Sequence, residues 1–304
     1  MTCWTTWPAC SKRTDGVEQG GARRSAVSHW QKGKIVRLSH TSEALADNPW
    51  GDPVEREVAV YLPHDYSENT EPYVALWDLA AYTNAGPGHL NWRNHGENLA
   101  SRLDRLIGSE VMEPALVVIP DCYTSLGGNQ YVNSPSVGRY ADYLVQELVP
   151  LVEENFNVVE GRAGRALFGK SSGGYGALYH AMKYPETWGA AASHAGDVGF
   201  DLLFKRDFPT VCGLLGPLKG DSEAFIRSFW RKNRPNGRDF TAMMILAMAA
   251  SYDPDPDNPG TGRLPFDLRT CEIDENRWAN WLEFDPLVML KRHSEALASL
   301  HGLY

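Results

Sequence analysis

One stretch near the middle of this 304-residue chain, residues 165–183, restricts the possible folds more than any other part of the sequence. A strand-like apolar segment (165–169) leads into the turn Gly169-Lys170-Ser171-Ser172-Gly173, and a helix-like segment (174–183) rich in small residues follows. A strand, a Gly-x-Ser-x-Gly turn and a helix in this order form the context of a nucleophile elbow, where a strained turn lifts a serine hydroxyl above a parallel sheet. The sequence therefore predicts an α/β fold with Ser171 as a nucleophile.

The same turn predicts where a developing negative charge would be stabilised. Backbone N–H groups at the start of a helix point out of it and attract negative charge, so the N–H of Ser172 is the expected first donor of an oxyanion hole. The second donor of such a site comes from the loop after the third strand, near Ala81 and Tyr82. Ser172 is a poor nucleophile candidate, because an elbow centred on it would have Lys170 where glycine is needed.

Strand-like and helix-like segments alternate along the chain, which indicates a mostly parallel central sheet with helices on both faces. The predicted strands are residues 34–39, 54–63, 73–80, 115–121, 165–169 and 188–196, and the predicted helices among them are residues 97–107, 139–155 and 174–183. Residues 201–250 and 285–297 read as helices, so a helical insertion is expected after the sixth strand. Asp285, which precedes a proline, is the expected N-cap of the last helix.

The ends of the chain have a different character. Residues 1–30 are polar and aperiodic, and we expect them to be a disordered leader, which leaves residues 31–304 as the folded domain. Residues 300–304 read as the beginning of a further strand.

Composition excludes several classes of partner. The formal net charge of −9 argues against nucleic acid or an anionic membrane as the main partner. No apolar run approaches the ~20 residues of a membrane-spanning helix, and the N-terminus lacks a secretory signal.

Five scattered cysteines with no Cys-x-x-Cys or Cys/His ligand spacing predict a reduced, cytoplasmic protein without a metal site.

A competing motif overlaps the elbow. Residues 164–171 also match the P-loop pattern G-x-x-x-x-G-K-[ST], which would predict a nucleotide-binding protein. The four residues between the two glycines are Arg-Ala-Leu-Phe, which read as strand and leave no loop to wrap a phosphate. We therefore keep nucleotide binding as the weaker alternative.

The elbow region also resembles a known family. The string ALFGKSSGGYGALYHAMKYPETWGAAASHAGD (166–197) is similar to the elbow and following strand of bacterial esterases of the α/β-hydrolase superfamily, the branch that includes esterase D, enterochelin esterases and mycolyltransferases. The segments beginning at Asp121 and Asn48 resemble other parts of that group. The resemblance runs from about residue 33 to the end. It implies a small-molecule ester or thioester substrate, no cofactor, and acyl transfer as an activity of some members.

Carried onto this sequence, the resemblance implies that Ser171 is the nucleophile and the Ser172 N–H an oxyanion donor. The family usually has glycine where this chain has Ala81, so the second donor, Ala81 or Tyr82, stays open. It also implies that the segment SHAGD lines the site.

We therefore regard His194 and Asp197 of that segment as pocket-lining candidates. Cys122, which follows the preceding strand, and Lys170, within the elbow, complete the set of candidates.

The remaining triad members are harder to place. In this fold the acid and the histidine follow the nucleophile, after the last strands, and this chain reaches Tyr304 at what resembles the start of the acid-bearing strand. We therefore expect the acid, the histidine and the last two strands to be missing, a truncation that would leave the chain inactive. Neither His293 nor His301 lies where the histidine is expected. A serine hydrolase and a non-catalytic binding protein of the same fold both remain open.

Overall fold

The computed structural model describes residues 30–304. The predicted leader, residues 1–30, lies outside the described residues except for its last position.

A seven-stranded sheet forms the centre of the molecule, in the order β1-β2-β4-β3-β7-β8-β9. The neighbours from β4 through β3, β7 and β8 to β9 are parallel, whereas β1, β2 and β4 pair antiparallel. A short antiparallel ribbon, β5 with β6, stands apart from this sheet. In chain order the strands are β1 (Lys34–Thr41), β2 (Glu55–Leu62), β3 (Ala75–Leu79), β4 (Leu116–Pro120), β5 (Asn133–Ser134), β6 (Gly138–Arg139), β7 (Arg165–Lys170), β8 (Ala190–His194) and β9 (Gly302–Leu303). The predicted mostly parallel sheet is confirmed.

The helices follow the sequence pattern closely. A π-helical turn (Tyr143–Leu148) joins α2 to α3, so that the predicted helix 139–155 is continuous. The helices are α1 (Leu99–Gly108), α2 (Tyr140–Asp142), α3 (Val149–Asn155), α4 (Ser172–Lys183), α5 (Phe200–Leu203), α6 (Phe208–Leu215), α7 (Ser222–Arg231), α8 (Gly237–Tyr252), α9 (Glu275–Leu282) and α10 (Pro286–Ala298). Six of them, α5 to α10, form the predicted insertion between β8 and β9.

Each face of the sheet has its own apolar core, because successive strand residues point in opposite directions. On one face Tyr61 and Val117 pack with Leu103 and Ile107 of α1. On the other face Val60, Trp77, Leu116 and Leu167 join a much larger core that includes the insertion helices. Helices therefore cover both faces, as the alternation of elements predicts.

Two helix ends show why sequence bounds and observed bounds differ. The helix predicted from residue 97 begins at Leu99, because the Asn98 side chain accepts a hydrogen bond from the Ser101 N–H (2.9 Å) and caps it. Asp285 caps α10 as predicted, accepting from Leu287 N–H at 3.0 Å. Its carboxylate also accepts from the N–H groups of Gly199 and Phe200 at 3.0 and 2.8 Å, which ties the last helix to the start of the insertion.

Aromatic rings fill the interior of the insertion. Trp281 is fully buried, and its ring centroid lies 5.6 to 6.2 Å from those of four neighbours, Phe204, Phe208, Tyr252 and Trp278. Tyr252 in turn packs against Tyr175 of the elbow helix at 6.0 Å. The insertion thus shares one core with the helix behind Ser171.

A buried histidine makes stability depend on pH. His180 in α4 is fully buried, its ring nitrogen Nε2 lies 2.8 Å from the Tyr131 carbonyl, and burial lowers its pKa to about 4. Below its unfolded pKa of ~6.5 the unfolded chain binds a proton that the folded chain does not. The free energy of unfolding should therefore fall as pH drops from ~6.5 towards 4, by roughly 2 kcal/mol between pH 7 and 5 from this group alone.

Urea unfolding of the wild type and of His180→Phe at both pH values measures this effect. The variant loses the Tyr131 contact at every pH, but its stability should decline about 2 kcal/mol less between pH 7 and 5. His64→Gln, at an exposed position, serves as the control with wild-type behaviour. Identical pH slopes for wild type and His180→Phe would contradict the assignment.

Within residues 30–304, no helix combines the length and apolar character needed to cross a bilayer. Over the same range, His, Cys, Asp and Glu side chains nowhere gather in a group of three or more suited to a metal ion.

Candidate active site

The backbone at Ser171 has the strained geometry that the elbow prediction requires. Its φ and ψ angles are 54° and −121°, which a non-glycine residue adopts only when its surroundings enforce it. Two hydrogen bonds hold it there: the Ser171 N–H donates to the His194 carbonyl (3.1 Å), and the Tyr175 N–H donates to the Ser171 carbonyl (2.8 Å). The helix α4 begins immediately after this residue.

Glycines around the elbow allow the strand, the helix and the adjacent loops to touch. A Cβ on Gly173 would lie 1.9 Å from the Leu79 carbonyl oxygen, and one on Gly169 would lie 2.4 Å from the Gly173 carbonyl carbon. A Cβ on Gly174 would lie 3.0 Å from the Cα of Gly196. The elbow is therefore packed directly against the end of β3 and against the turn after β8.

Contact with the end of β3 brings the predicted oxyanion loop beside the elbow, since Ala81 and Tyr82 follow within three residues of Leu79. Within residues 30–304 the backbone N–H groups of Ser172 and Tyr82 donate to no protein acceptor. Tyr82 is held by its side chain, whose hydroxyl donates to the Leu126 carbonyl at 2.6 Å. Two free N–H groups on adjoining segments are what an oxyanion hole needs.

The hydroxyl of Ser171 faces Asp197. Ser171 Oγ lies 3.3 Å from Asp197 Oδ1, and the Oγ of buried Ser172 lies 3.2 Å from Oδ2. Gln130 Nε2 donates to Ser172 Oγ (2.7 Å), and the Tyr252 hydroxyl donates to Gln130 Oε1 (3.1 Å). Burial raises the pKa of Asp197, while the hydrogen bonds from Ser172, Ser171 and Gln130 partly oppose that rise.

Of the other three predicted pocket-lining residues, Lys170 and His194 line a cavity of the described chain and Cys122 does not. Lys170 and His194 are exposed neighbours in the β7–β8 register and line a cavity of about 840 Å³ that Ala81 and Tyr82 also border. Cys122 is buried in the core, where desolvation raises its pKa, and it lines none of the five cavities described for residues 30–304.

Several polar residues near the site were not predicted from the sequence. Gln130 and Tyr252 reach Ser172 only through tertiary contacts. His89 and Asp78 form a hydrogen-bonded pair on the wall of the 840 Å³ cavity, and that bond raises the pKa of His89. The sequence signal for this pair is Asp78 itself, a charged residue within the apolar stretch 73–80.

A second cavity, of about 620 Å³, adjoins the oxyanion loop at Tyr82 and Thr83. Its walls are largely aromatic and apolar, and the insertion supplies most of them. They include Tyr123, Phe229, Trp230, Pro235, Phe240 and Met243. Trp230 and Phe240 remain 48% and 41% exposed, so part of this apolar wall is accessible from outside.

The structure argues against a P-loop at residues 164–171. Arg165–Lys170 is strand β7, paired with β3 and β8. The residues that a P-loop would wrap around a phosphate are therefore extended within the sheet.

Comparison with known proteins places this site in context. A model of the family described as "Putative esterase" matches residues 53–254, more than half of the chain, and the elbow lies inside that range. Esterase Rv1288 of Mycobacterium tuberculosis (strain H37Rv) is 35% identical over 105 residues, which are 33% of this chain and 21% of that protein. The uncharacterized protein YbbA of Bacillus subtilis is 26% identical over 161 residues, 48% of this chain and 58% of that one.

Among solved structures, an S-formylglutathione hydrolase from Staphylococcus aureus matches 89% of this chain and 78% of its own at 13% identity, with a TM-score of 0.49. The match to the Mycobacterium esterase spans about a fifth of that relative's length. The family match and the mostly parallel sheet with its elbow together give the fold as that of an α/β-hydrolase. The chain belongs to the putative esterase family.

Proposed function

We propose that this chain hydrolyses a carboxylic ester or thioester of a small molecule through an acyl-enzyme on Ser171. The observation that carries the proposal is the strained Ser171 backbone beside two unengaged N–H groups, those of Ser172 and Tyr82. Membership in the esterase family supports it.

The proposed reaction has two halves. Ser171 Oγ attacks the carbonyl carbon, and the carbonyl electron pair moves onto its oxygen, which accepts hydrogen bonds from Ser172 and Tyr82 N–H. The C–O or C–S bond then breaks, and the leaving alcohol or thiol takes up the proton that the Ser171 hydroxyl gave up during the attack. Water attacks the acyl-enzyme in the same way, releases the acid and restores the Ser171 hydroxyl.

The aromatic cavity beside Tyr82 and Thr83 fits the apolar part of such an ester. Because Tyr82, one of the two proposed oxyanion donors, lines this cavity, we expect a group bound there to lie near the reacting carbonyl. The negative net charge of the chain supports the prediction that neither nucleic acid nor an anionic membrane is the partner. The free thiols of Cys122, Cys212 and Cys271 fit the predicted cytoplasmic location.

A fluorophosphonate probe tests the function, because it reacts with an activated serine. We expect stoichiometric labelling of the wild type at Ser171, located by peptide mass spectrometry. Ser171→Ala should not be labelled, and its rate of p-nitrophenyl acetate hydrolysis should be at least about 10³-fold lower than that of the wild type. Ser109→Ala, at the end of α1, is the matched control and should behave as wild type.

A folded wild type that neither reacts with the probe nor hydrolyses the ester would contradict the proposal. It would instead favour the second candidate, a non-catalytic binding protein that keeps this fold. A rise in melting temperature with ATP would favour nucleotide binding.

A further inference from the structure

We infer that Cys212 and Cys271 are a redox-sensitive pair, which hydrogen peroxide converts to a disulfide that cross-links the helical insertion. Cys212 lies in α6, and Cys271 lies in residues 266–273, which we call the cysteine hairpin because its ends pair as an antiparallel bridge. Both thiols are free in this structure. The inference goes beyond the proposed function, since it concerns the scaffold of the insertion and not the chemistry at Ser171.

One face of α6 lies against the cysteine hairpin along two successive turns. Residues four apart lie on the same side of a helix, and Phe208 and Cys212 are spaced in this way. The ring of Phe208 stacks on that of Phe266, with the two centroids 4.3 Å apart. One turn further along, Cys212 Sγ lies 3.7 Å from the carbonyl oxygen of Asp267. The packing of α6 therefore holds the Cys212 thiol at the hairpin.

A closed turn holds Cys271 close to the thiol on α6. The Cys271 N–H donates to the Asp267 carbonyl at 2.8 Å, and the Asp267 N–H donates to the Glu272 carbonyl at 2.9 Å. The Asp267 carboxylate also accepts from the N–H groups of Arg269 and Thr270, at 2.9 and 2.7 Å. Cys271 has a positive φ of 61°, which a non-glycine residue adopts only where its surroundings enforce it. Both members of the pair thus approach one carbonyl oxygen, from the helix and from the hairpin.

The two side chains are placed to interact with each other and with a small oxidant. Both are half-buried at the edge of the large apolar core, so the packing around them leaves part of each surface open. Burial raises the pKa of Cys212, and so does its interaction with the Cys271 thiol. Because a protonated thiol is a poor nucleophile, we expect Cys271 to be oxidised first and Cys212 to complete the disulfide.

The oxidation consumes one hydrogen peroxide for each pair. The Cys271 sulfur attacks one peroxide oxygen, the O–O bond breaks, and the products are a sulfenic acid and one water, which takes the thiol proton. The Cys212 sulfur then attacks the sulfur of the sulfenic acid. The S–O bond breaks, and the departing hydroxide takes the Cys212 proton to form a second water. Two electrons pass from the thiols to the peroxide, and a dithiol such as dithiothreitol returns them.

The disulfide encloses the part of the insertion that forms the aromatic cavity. It closes a loop over residues 213–270, which contain α7 and α8 and with them Phe229, Trp230 and Phe240 of the cavity wall. A cross-link over a loop of this length removes conformational freedom from the unfolded chain. The oxidised protein should therefore be more stable than the reduced one, and its stability should respond to the redox state of its surroundings.

The test compares the full-length protein after treatment with hydrogen peroxide and after treatment with dithiothreitol. Trypsin releases Cys212 and Cys271 in the peptides 207–219 and 270–277. We expect non-reducing mass spectrometry to find these two peptides joined in the oxidised sample and separate in the reduced one. The melting temperature should be roughly 5–10 °C higher after oxidation and should return to its first value on reduction.

Cys212→Ser and Cys271→Ser should each lose the joined peptides and the rise in melting temperature. The double variant Cys3→Ser/Cys10→Ser keeps the pair and is the matched control, with the wild-type rise. If the single variants fail to fold, the joined peptides and the reversible rise in the wild type still decide the question.

Two results would overturn the inference. One is recovery of the two peptides unlinked after peroxide treatment, and the other is joined peptides with an unchanged melting temperature. Neither result alters the expected labelling of Ser171, so failure of this inference is distinguishable from failure of the proposed function.

Discussion

Replacing Gly173 with alanine is expected to abolish labelling of Ser171 and to lower the melting temperature by roughly 6–12 °C. The new methyl group would lie 1.9 Å from the Leu79 carbonyl oxygen and 2.6 Å from its carbon, and both are backbone atoms that cannot rotate away. Either α4 or the end of β3 must move. Forced displacement of this kind costs about 3 kcal/mol, and it separates Ser171 from the proposed oxyanion donor at Tyr82.

Gly216→Ala is the matched control, because a Cβ there meets nothing within 4 Å and the backbone φ is −51°. Its melting temperature and labelling should equal those of the wild type. Differential scanning calorimetry and probe labelling measure the two effects. Wild-type labelling by Gly173→Ala would show that Gly173 does not lie against the Leu79 backbone.

Trp281→Ala is expected to reduce the free energy of unfolding by about 3–5 kcal/mol. The indole is fully buried among Phe204, Phe208, Tyr252 and Trp278, so its removal leaves a cavity that these flat, mutually packed rings cannot close. Because Tyr252 also positions Gln130 at the elbow, labelling of Ser171 should weaken as well.

Chemical denaturation measures the loss, with Trp92→Ala as the comparison. Trp92 is 83% exposed, and truncating it should change stability by less than about 0.5 kcal/mol. A loss below 1 kcal/mol for Trp281→Ala would mean that the insertion packs more loosely than this structure indicates.

The sheet and the elbow could be predicted because their signals are local. The five residues of β4 are all buried, and their unbroken apolar run already indicates a central strand. The glycines flanking Ser171 likewise reflect contacts made within a few residues of the turn. The position of β4 between β2 and β3 could not be predicted from the sequence, because neither the hydrophobic pattern of a strand nor its distance along the chain specifies which strands become neighbours.

The hydrogen-bond network around Ser171 and Ser172 could not be predicted, because its members are far apart in the sequence. Gln130 and Tyr252 are hydrogen-bonded partners 122 positions apart, and their contact depends on how α8 packs against the loop before β5. The place of Asp197 after β8 predicts a pocket residue, but the sequence does not show that its carboxylate lies 3.3 Å from Ser171 Oγ. Short-range patterns do not encode either relationship.

The helical insertion, α5 to α10, both lines the aromatic cavity and packs behind Ser171. Its Phe229 and Trp230 form a wall of the aromatic cavity, while its Tyr252 packs against Tyr175 directly behind the nucleophile. The wall of the cavity and the support of the elbow thus belong to the same group of packed helices. We therefore expect substitutions that reshape this cavity to alter the packing behind Ser171 as well, because Phe229 and Tyr252 belong to one apolar core.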